Sequence, residues 1–464
     1  MKSLKKIHSI NDIVTFDFNL FKNLCMSGEK KNKIIILSYF FPPCNITASQ
    51  RALSWAKYLG EFGFYPIVIT RNWERPVNYP TDLHHNTHQT VIHQKFGTYE
   101  VYYLPYKQSF RDRLYTQKEN SKFPWMRQFL TFWELIMQNF VDFVIPFSNF
   151  YTFTKQFLKK NSDIKLMVVT ANPYVLFKFA YRLKKDFTRL NWIADYRDDW
   201  NTRVESHWYN NYPLISKITA NIERKSELKW TSNASLITSV SELNTDKISK
   251  FLHKNGTTIY NGFIPEDFEQ FRKVKWYDEF NITFNGTMIE MQEIVIFIGA
   301  LKRVIAEYKG KASIKINFIG TGYDVYQEMK IKALMEGYEK NLHITHRVPR
   351  KKVIEVQMRS HVLLLVAYGN VKGVTGTKTF DYLATGKPII LCPSDDDILA
   401  RIITETGQGI ICNTEEESYK VLKQLVDAWL SGKEYPIKIN LEAINFYTRK
   451  KQTEILANQL KSLN

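Results

Sequence analysis

Apolar residues along this chain fall into short continuous runs. Between the runs lie longer stretches in which apolar positions recur every three or four residues. A run buried on both faces reads as a strand of a parallel sheet, and the 3.6-residue period reads as an amphipathic helix. The alternation therefore predicts an α/β protein of parallel sheets covered by helices. The first series places strands at 33–38, 65–70, 101–105, 166–170, 190–195, 235–240 and 257–260, with a helix over 47–62. A second series places strands at 280–285, 313–319, 341–345, 361–366, 388–392 and 409–412. Its helices are expected at 291–308, 323–336, 350–358, 376–385, 395–404 and 415–430. A last amphipathic helix, over 446–462, is expected to fold back onto the first domain.

The chain has 464 residues, and a single hydrophobic core stops growing at about 250–300. Two domains follow: 31–263 and 280–445, with 1–30 as an N-terminal extension, 264–279 as a linker and 446–464 as a C-terminal helix. Residues 106–160 fit the alternation poorly. They interleave Phe110, Trp125, Phe129, Trp133, Phe140 and Phe143 with Lys107, Arg111, Arg113, Lys118, Lys122 and Arg127. The segment reads either as a helical insert packed on its own domain or as a basic, aromatic surface for anionic lipid or a lipid-linked acceptor.

The formal net charge of +18 draws the protein to something anionic. No zinc finger, RNP-type strand or basic zipper accompanies it, so nucleic acid is not the expected partner. Cys25, Cys44, Cys392 and Cys412 form no CxxC pair and no Cys/His cluster with zinc spacing, which predicts a reducing, cytoplasmic setting. No run reaches the roughly 18 apolar residues of a membrane span, and the first thirty residues do not read as a secretory leader.

In doubly wound sheets ligands bind beyond the carboxyl ends of the strands. The first such turn, 39–51, lacks GxGxxG. Its Asn45, Thr47 and Arg51 are candidate acceptor-side contacts, and Thr47 is open to a second reading as a plain helix cap. The turn after 190–195 carries Asp195, Arg197 and Asp198, which read either as a salt-bridge knot or as groups that orient an attacking hydroxyl. The densest signal is 372–388. There a strand ends, and Thr375, Gly376, Thr377 and Lys378 open a helix whose free N–H groups suit a diphosphate. Asp381, one turn on, could reach a ribose. An ordinary capped helix start is the competing reading.

These residues resemble family-4-type glycosyltransferases of the GT-B fold, in which two Rossmann-like domains face each other across a cleft. The resemblance spans about residues 33–460. It rests on Ser38 to Pro43, Trp192 to Trp200, Ile259 to Phe263, Phe284 to Met288, Phe318 to Gly322 and Gly373 to Pro388, in that order. It implies a nucleotide-sugar donor held by the C-terminal domain and a glycan or lipid-linked acceptor held by the N-terminal domain. It further implies retention of anomeric configuration, no metal or other cofactor, and a role in surface polysaccharide synthesis at the inner membrane face. Asn285, Gly286, Thr287 and Arg347 join the donor-side candidates on this basis. Two departures stand out: Gly373 falls where the family often has a glutamate, and the segment after 280–285 lacks the usual Arg and Lys. Two other functions fit such a chain: a sugar-nucleotide 2-epimerase, and a catalytically silent scaffold.

Overall fold

The computed structural model describes residues 31–77, 80–116, 124–200, 213–435 and 437–464. The N-terminal extension with Cys25, and Lys118 and Lys122 of the insert, lie outside these residues. The chain divides into two compact units. One runs to Tyr260 and takes in Thr453–Asn464; the other is Asn261–Gln452.

The first unit holds β1 (Asn32–Ser38), β2 (Phe64–Arg71), β3 (Ile92–Phe96), β4 (Tyr99–Leu104), β5 (Leu166–Ala171), β6 (Asn191–Tyr196), β7 (Leu236–Ser239) and β8 (Gly256–Thr258). They form one sheet in the order β3-β4-β2-β1-β5-β6-β7-β8. Every pairing is parallel except β3 with β4. Alternate residues feed two cores. Ile35, Leu37, Met167 and Val169 enter one, and Ile34, Ile36, Val68 and Val168 enter the other. Both faces are covered, which is why these strands read as unbroken apolar runs. Leu456, Ala457 and Leu460 of the helix Arg449–Leu463 complete the second core.

Strand β3 is absent from the sequence reading. Only Ile92 in it is half-buried and the rest is exposed, so it carries no periodic signal. The expected helix over 47–62 is an α-helix, Ser49–Tyr58, closed by the 3-10 turn Leu59–Phe62. The insert forms the helices Phe110–Thr116, Pro124–Met137 and Asn149–Lys160.

The second unit holds β9 (Phe280–Asn285), β10 (Ile314–Ile319), β11 (Leu342–Thr345), β12 (Val362–Leu365), β13 (Ile389–Leu391) and β14 (Gly409–Ile411). The order is β11-β10-β9-β12-β13-β14, parallel throughout. This is the doubly wound order, and it reverses direction between β9 and β12. The segment expected as a bare linker contains the short helix Glu266–Glu269. Among the described residues no helix is long and apolar enough to cross a membrane.

Candidate functional site

A switch point leaves a crevice at the carboxyl ends of its two strands, because the chains leaving them depart to opposite faces. In the second unit those strands are β9 and β12. The chain leaving β9 is Asn285-Gly286, and the chain leaving β12 reaches the helix Thr377–Thr385. The sequence thus brings two separate loops to one place.

The β9 loop is tightly held. The Asn285 N–H donates to the Tyr382 hydroxyl at 2.8 Å. The Gly286 N–H donates to the Ile319 carbonyl at 2.8 Å, and the Thr321 hydroxyl donates to the Gly286 carbonyl at 2.9 Å. Gly286 has φ +100°, a conformation L side chains rarely adopt. The facing helix starts at Gly376 with no side chain capping it, so its first N–H groups remain available to an anion.

Lys378 fills the space between. The residue is half-buried, but its ammonium is covered and has no hydrogen-bond partner among the described residues. It lies 3.9 Å from the Phe284 ring centroid. Burial pushes its pKa from the ordinary 10.5 down to about 7. Thr375 adds a second buried, unpartnered atom, its hydroxyl oxygen. Desolvated donors without acceptors cost stability unless something arrives to use them. A phosphate is an acceptor of the kind that would satisfy such donors.

The remaining donor-side candidates fare differently. Thr287 is exposed beside Gly286. Arg347 is exposed after β11, its guanidinium 3.9 Å from the Tyr323 ring centroid. Asp381 does not present a free carboxylate to a ribose. Arg350 grips both its oxygens, at 2.9 and 3.0 Å, and also reaches Asp267 at 3.2 Å. A bidentate guanidinium uses the lone pairs a ribose hydroxyl would need. The expected ribose contact is therefore replaced by a strut that ties the helix 377–385 to the helix Arg350–Arg359.

In the first unit, Asp195 is the penultimate residue of β6 and is fully buried. Its Oδ1 accepts from Arg51 Nη2 at 2.7 Å and from the Thr238 hydroxyl at 2.6 Å, and its Oδ2 accepts from Arg51 Nε at 2.9 Å. Arg51 also donates to the Ile259 carbonyl at 2.8 Å. Neither side chain reaches solvent, so both expected acceptor contacts give way to an internal ion pair that joins the first helix to β6, β7 and the end of the last crossover. Arg197 and Asp198 pair with each other at 2.8 Å, and Asp198 remains 40% exposed. Of the three residues proposed from that turn, Asp195 is fully buried, Arg197 is 19% exposed, and Asp198 is the most exposed. Asn45 is exposed and accepts from the Val77 N–H at 2.9 Å. Thr47 is exposed too, and the helix cap is Ala48 rather than Thr47.

Sequence reading missed Tyr382, Thr321 and Arg350. Each acts through a contact distant in sequence; Thr321 and Tyr382 fall inside stretches that carry the resemblance, but nothing local assigns them a role. Among the described residues no cluster of His, Cys, Asp and Glu could hold a metal ion.

Solved structures share this architecture. A glycosyltransferase from Rickettsia africae ESF-5 aligns over 94% of this chain and 99% of its own, with 12% identity and a TM-score of 0.56. Anabaena Alr3699/HepE, solved in complex with UDP, aligns over 93% and 100%, with 11% identity and a TM-score of 0.54. A trehalose-phosphate synthase from Burkholderia xenovorans, in complex with glucose-6-phosphate, aligns over 92% and 100%, with 9% identity and a TM-score of 0.58. The fold is that of the GT-B glycosyltransferases. Identities this low show shared architecture and leave the reaction to the site. No protein-family model matches the chain, and neither does any curated protein sequence.

Proposed function

We propose that the chain is a glycosyltransferase that takes its sugar from a nucleotide-sugar donor. The observation that carries this reading is the buried, unpaired ammonium of Lys378 against Gly286, at the open start of the helix 377–385. When a glycosyl–phosphate bond breaks, negative charge grows on the leaving diphosphate. Pre-placed donors in a water-poor site stabilise that charge without reorganising. Lys378, the Thr375 hydroxyl and the helix N–H groups are such donors, and they carry the charge compensation in a reaction run without metal.

The acceptor in this reading is a glycan or a lipid-linked sugar, and anomeric configuration is retained. A membrane surface fits the insert. Trp125, Phe129 and Trp133 are spaced by four residues on the helix Pro124–Met137 and are 65%, 58% and 37% exposed. Met137 and Val141 pack instead against the core. One side of the insert packs on its own unit and its aromatic side is left exposed, which supports the reading of a docking surface.

A thermal-shift screen with nucleotides and nucleotide sugars tests the reading, beginning with UDP because the Anabaena structure holds it. A ligand at 100 times its Kd adds about 2.7 kcal/mol. Saturable stabilisation by a nucleoside diphosphate, lost in Lys378→Met, is expected. Binding of nucleotides with no transfer to any acceptor would favour the scaffold reading, and epimerisation of UDP-N-acetylglucosamine without acceptor would favour the epimerase.

A further inference from the structure

The second unit leaves another lysine without a counter-charge. Lys387 lies between Gly386 and Pro388, just before β13, and is 4% exposed. Its backbone is fixed: the N–H donates to the Thr385 hydroxyl at 3.1 Å, and the carbonyl accepts from Gln408 Nε2 at 3.1 Å. Its ammonium has no hydrogen-bond partner among the described residues and stands 2.9 Å from the centroid of the Trp276 ring. The neighbouring imidazole offers no acceptor. His361 Nδ1 already accepts the Asn281 N–H at 3.1 Å, and burial and Lys387 together push that ring's pKa down to about 4.

Contact with an indole accounts for only part of this arrangement. Burial lowers the Lys387 pKa to about 7, and an indole face supplies neither a counter-charge nor a lone pair for the ammonium's N–H groups. Nor does it account for what lies beside the lysine. Trp276 is 44% exposed and walls a solvent-open cavity of about 440 Å³ together with Trp429 and Tyr435. Gly386 and Pro388, the two neighbours of Lys387, line it as well, and Lys433 and Glu434 stand exposed at its rim. Trp429 is braced from behind by Phe280 and His361, with centroids at 5.6 and 5.5 Å. The cavity lies at the amino ends of β12 and β13. Gly286 and Lys378 lie beyond the carboxyl ends of β9 and β12, so this is a different place in the fold.

Flat aromatic walls suit the C–H face of a pyranose, and a rim that offers both an ammonium and a carboxylate suits its hydroxyl edge. A single orphan ammonium matches a single negative charge, and Glu434 disfavours a dianion. The net charge of +18 favours an acidic ligand over a neutral one. We propose that this cavity binds a sugar ring bearing a carboxylate, the ring lying against Trp276 and Trp429 and the carboxylate pairing with Lys387 once the Trp276 indole turns aside. The site is built from residues of this unit alone and stands whether or not the chain transfers sugar.

The test is a calorimetric and tryptophan-fluorescence titration of the full chain with a uronic-acid disaccharide and with its neutral counterpart, each repeated with saturating UDP. Saturable binding of the uronate is expected, at least about tenfold tighter than the neutral sugar, a difference of ~1.4 kcal/mol, and not displaced by UDP. Lys387→Met keeps the side-chain length without the charge and should abolish that preference; Trp276→Ala, at an exposed position, should abolish binding. Equal affinity for both sugars, displacement by UDP, or no binding overturns the proposal. Undiminished binding by Trp276→Ala overturns it even if Lys387→Met fails to fold.

Discussion

The ammonium of Lys378 is packed against Gly286, a residue with no side chain. A Cβ built on Gly286 would stand 3.6 Å from Lys378 Cε and 3.7 Å from Nζ. At φ +100° that Cβ would also strain the backbone. Gly286→Ala therefore crowds the approach to the ammonium and unsettles the loop at once. Lys378→Met removes the charge and keeps the bulk. Lys378→Met is expected to weaken nucleoside diphosphate binding by about 1.5–3 kcal/mol, the scale of a charge-assisted hydrogen bond, with Gly286→Ala weakening it as well. Isothermal titration on folded variants checks both, and unchanged affinity in Lys378→Met removes the donor site from this helix.

The pKa of Lys378 near 7 gives binding a proton signature. A bound diphosphate favours the charged amine and raises its pKa, so above pH 7 each binding event takes up a proton. Affinity should fall as pH rises from about 7 toward 9. Titrations at pH 8 in buffers of different ionisation enthalpy should show net uptake that Lys378→Met loses. No buffer dependence would mean that binding leaves the charge of the amine unchanged, against this prediction.

Both buried lysines also shape stability in the free protein. Their pKa values fall from the ordinary 10.5 to about 7 in the folded state. Between those values the unfolded chain binds more protons than the folded one, so stability rises with pH across that window. Lys378→Met and Lys387→Met should each flatten the rise between pH 7 and about 10 and raise stability at pH 7. Urea midpoints measured across that range check it, and a slope unchanged in the double variant would contradict it.

What the sequence showed and hid follows from how far apart the interacting residues are. Strands β1, β5, β9 and β12 were legible because both their faces are buried, which writes an unbroken apolar run. Edge strand β3 was not, since it buries almost nothing. The turn 375–378 was legible because a Gly/Thr-rich turn after a strand has a local chemistry. Its depth was not: nothing near Lys378 says that Phe284 and Gly286 will cover its ammonium. The roles assigned to Asp195 and Asp381 were displaced for the same reason. Their partners, Arg51 and Arg350, sit 144 and 31 residues away, and a carboxylate's sequence neighbours do not announce a distant guanidinium.

The Asp195–Arg51 pair has exposures of 0% and 2%. Removing one partner of a buried pair leaves the other charge desolvated and costs about 3–5 kcal/mol. Asp195→Asn should therefore lower the urea midpoint of unfolding sharply, while leaving nucleotide affinity in the surviving folded fraction intact, since Lys378 belongs to the other unit. A stable Asp195→Asn protein that fails only in transfer would return this carboxylate to the acceptor.

The insert gives the last prediction. Trp125, Phe129 and Trp133 line one helix face, and Phe140 and Phe143 follow at 75% and 77% exposure. Isolated exposed aromatics are common, but a contiguous row marks an interaction surface. The chain's charge selects an anionic one, and Trp and Phe on an amphipathic helix can enter the lipid headgroup boundary. Of the described basic residues near this face, Arg111 pairs with Glu134 at 3.2 Å and Arg127 lies 5.0 Å from the Tyr115 ring centroid, so the aromatic row must supply much of the attachment. Co-sedimentation with phosphatidylglycerol vesicles should show binding that weakens with salt, while neutral vesicles bind little. Trp125→Ala with Phe129→Ala should cut partitioning roughly tenfold or more, since each large apolar side chain removed from the interface forfeits about 1.5–3 kcal/mol at full burial. Equal partitioning of that variant and the parent chain would show that the face does not touch lipid, and transfer from a nucleotide sugar would then be sought on soluble acceptors.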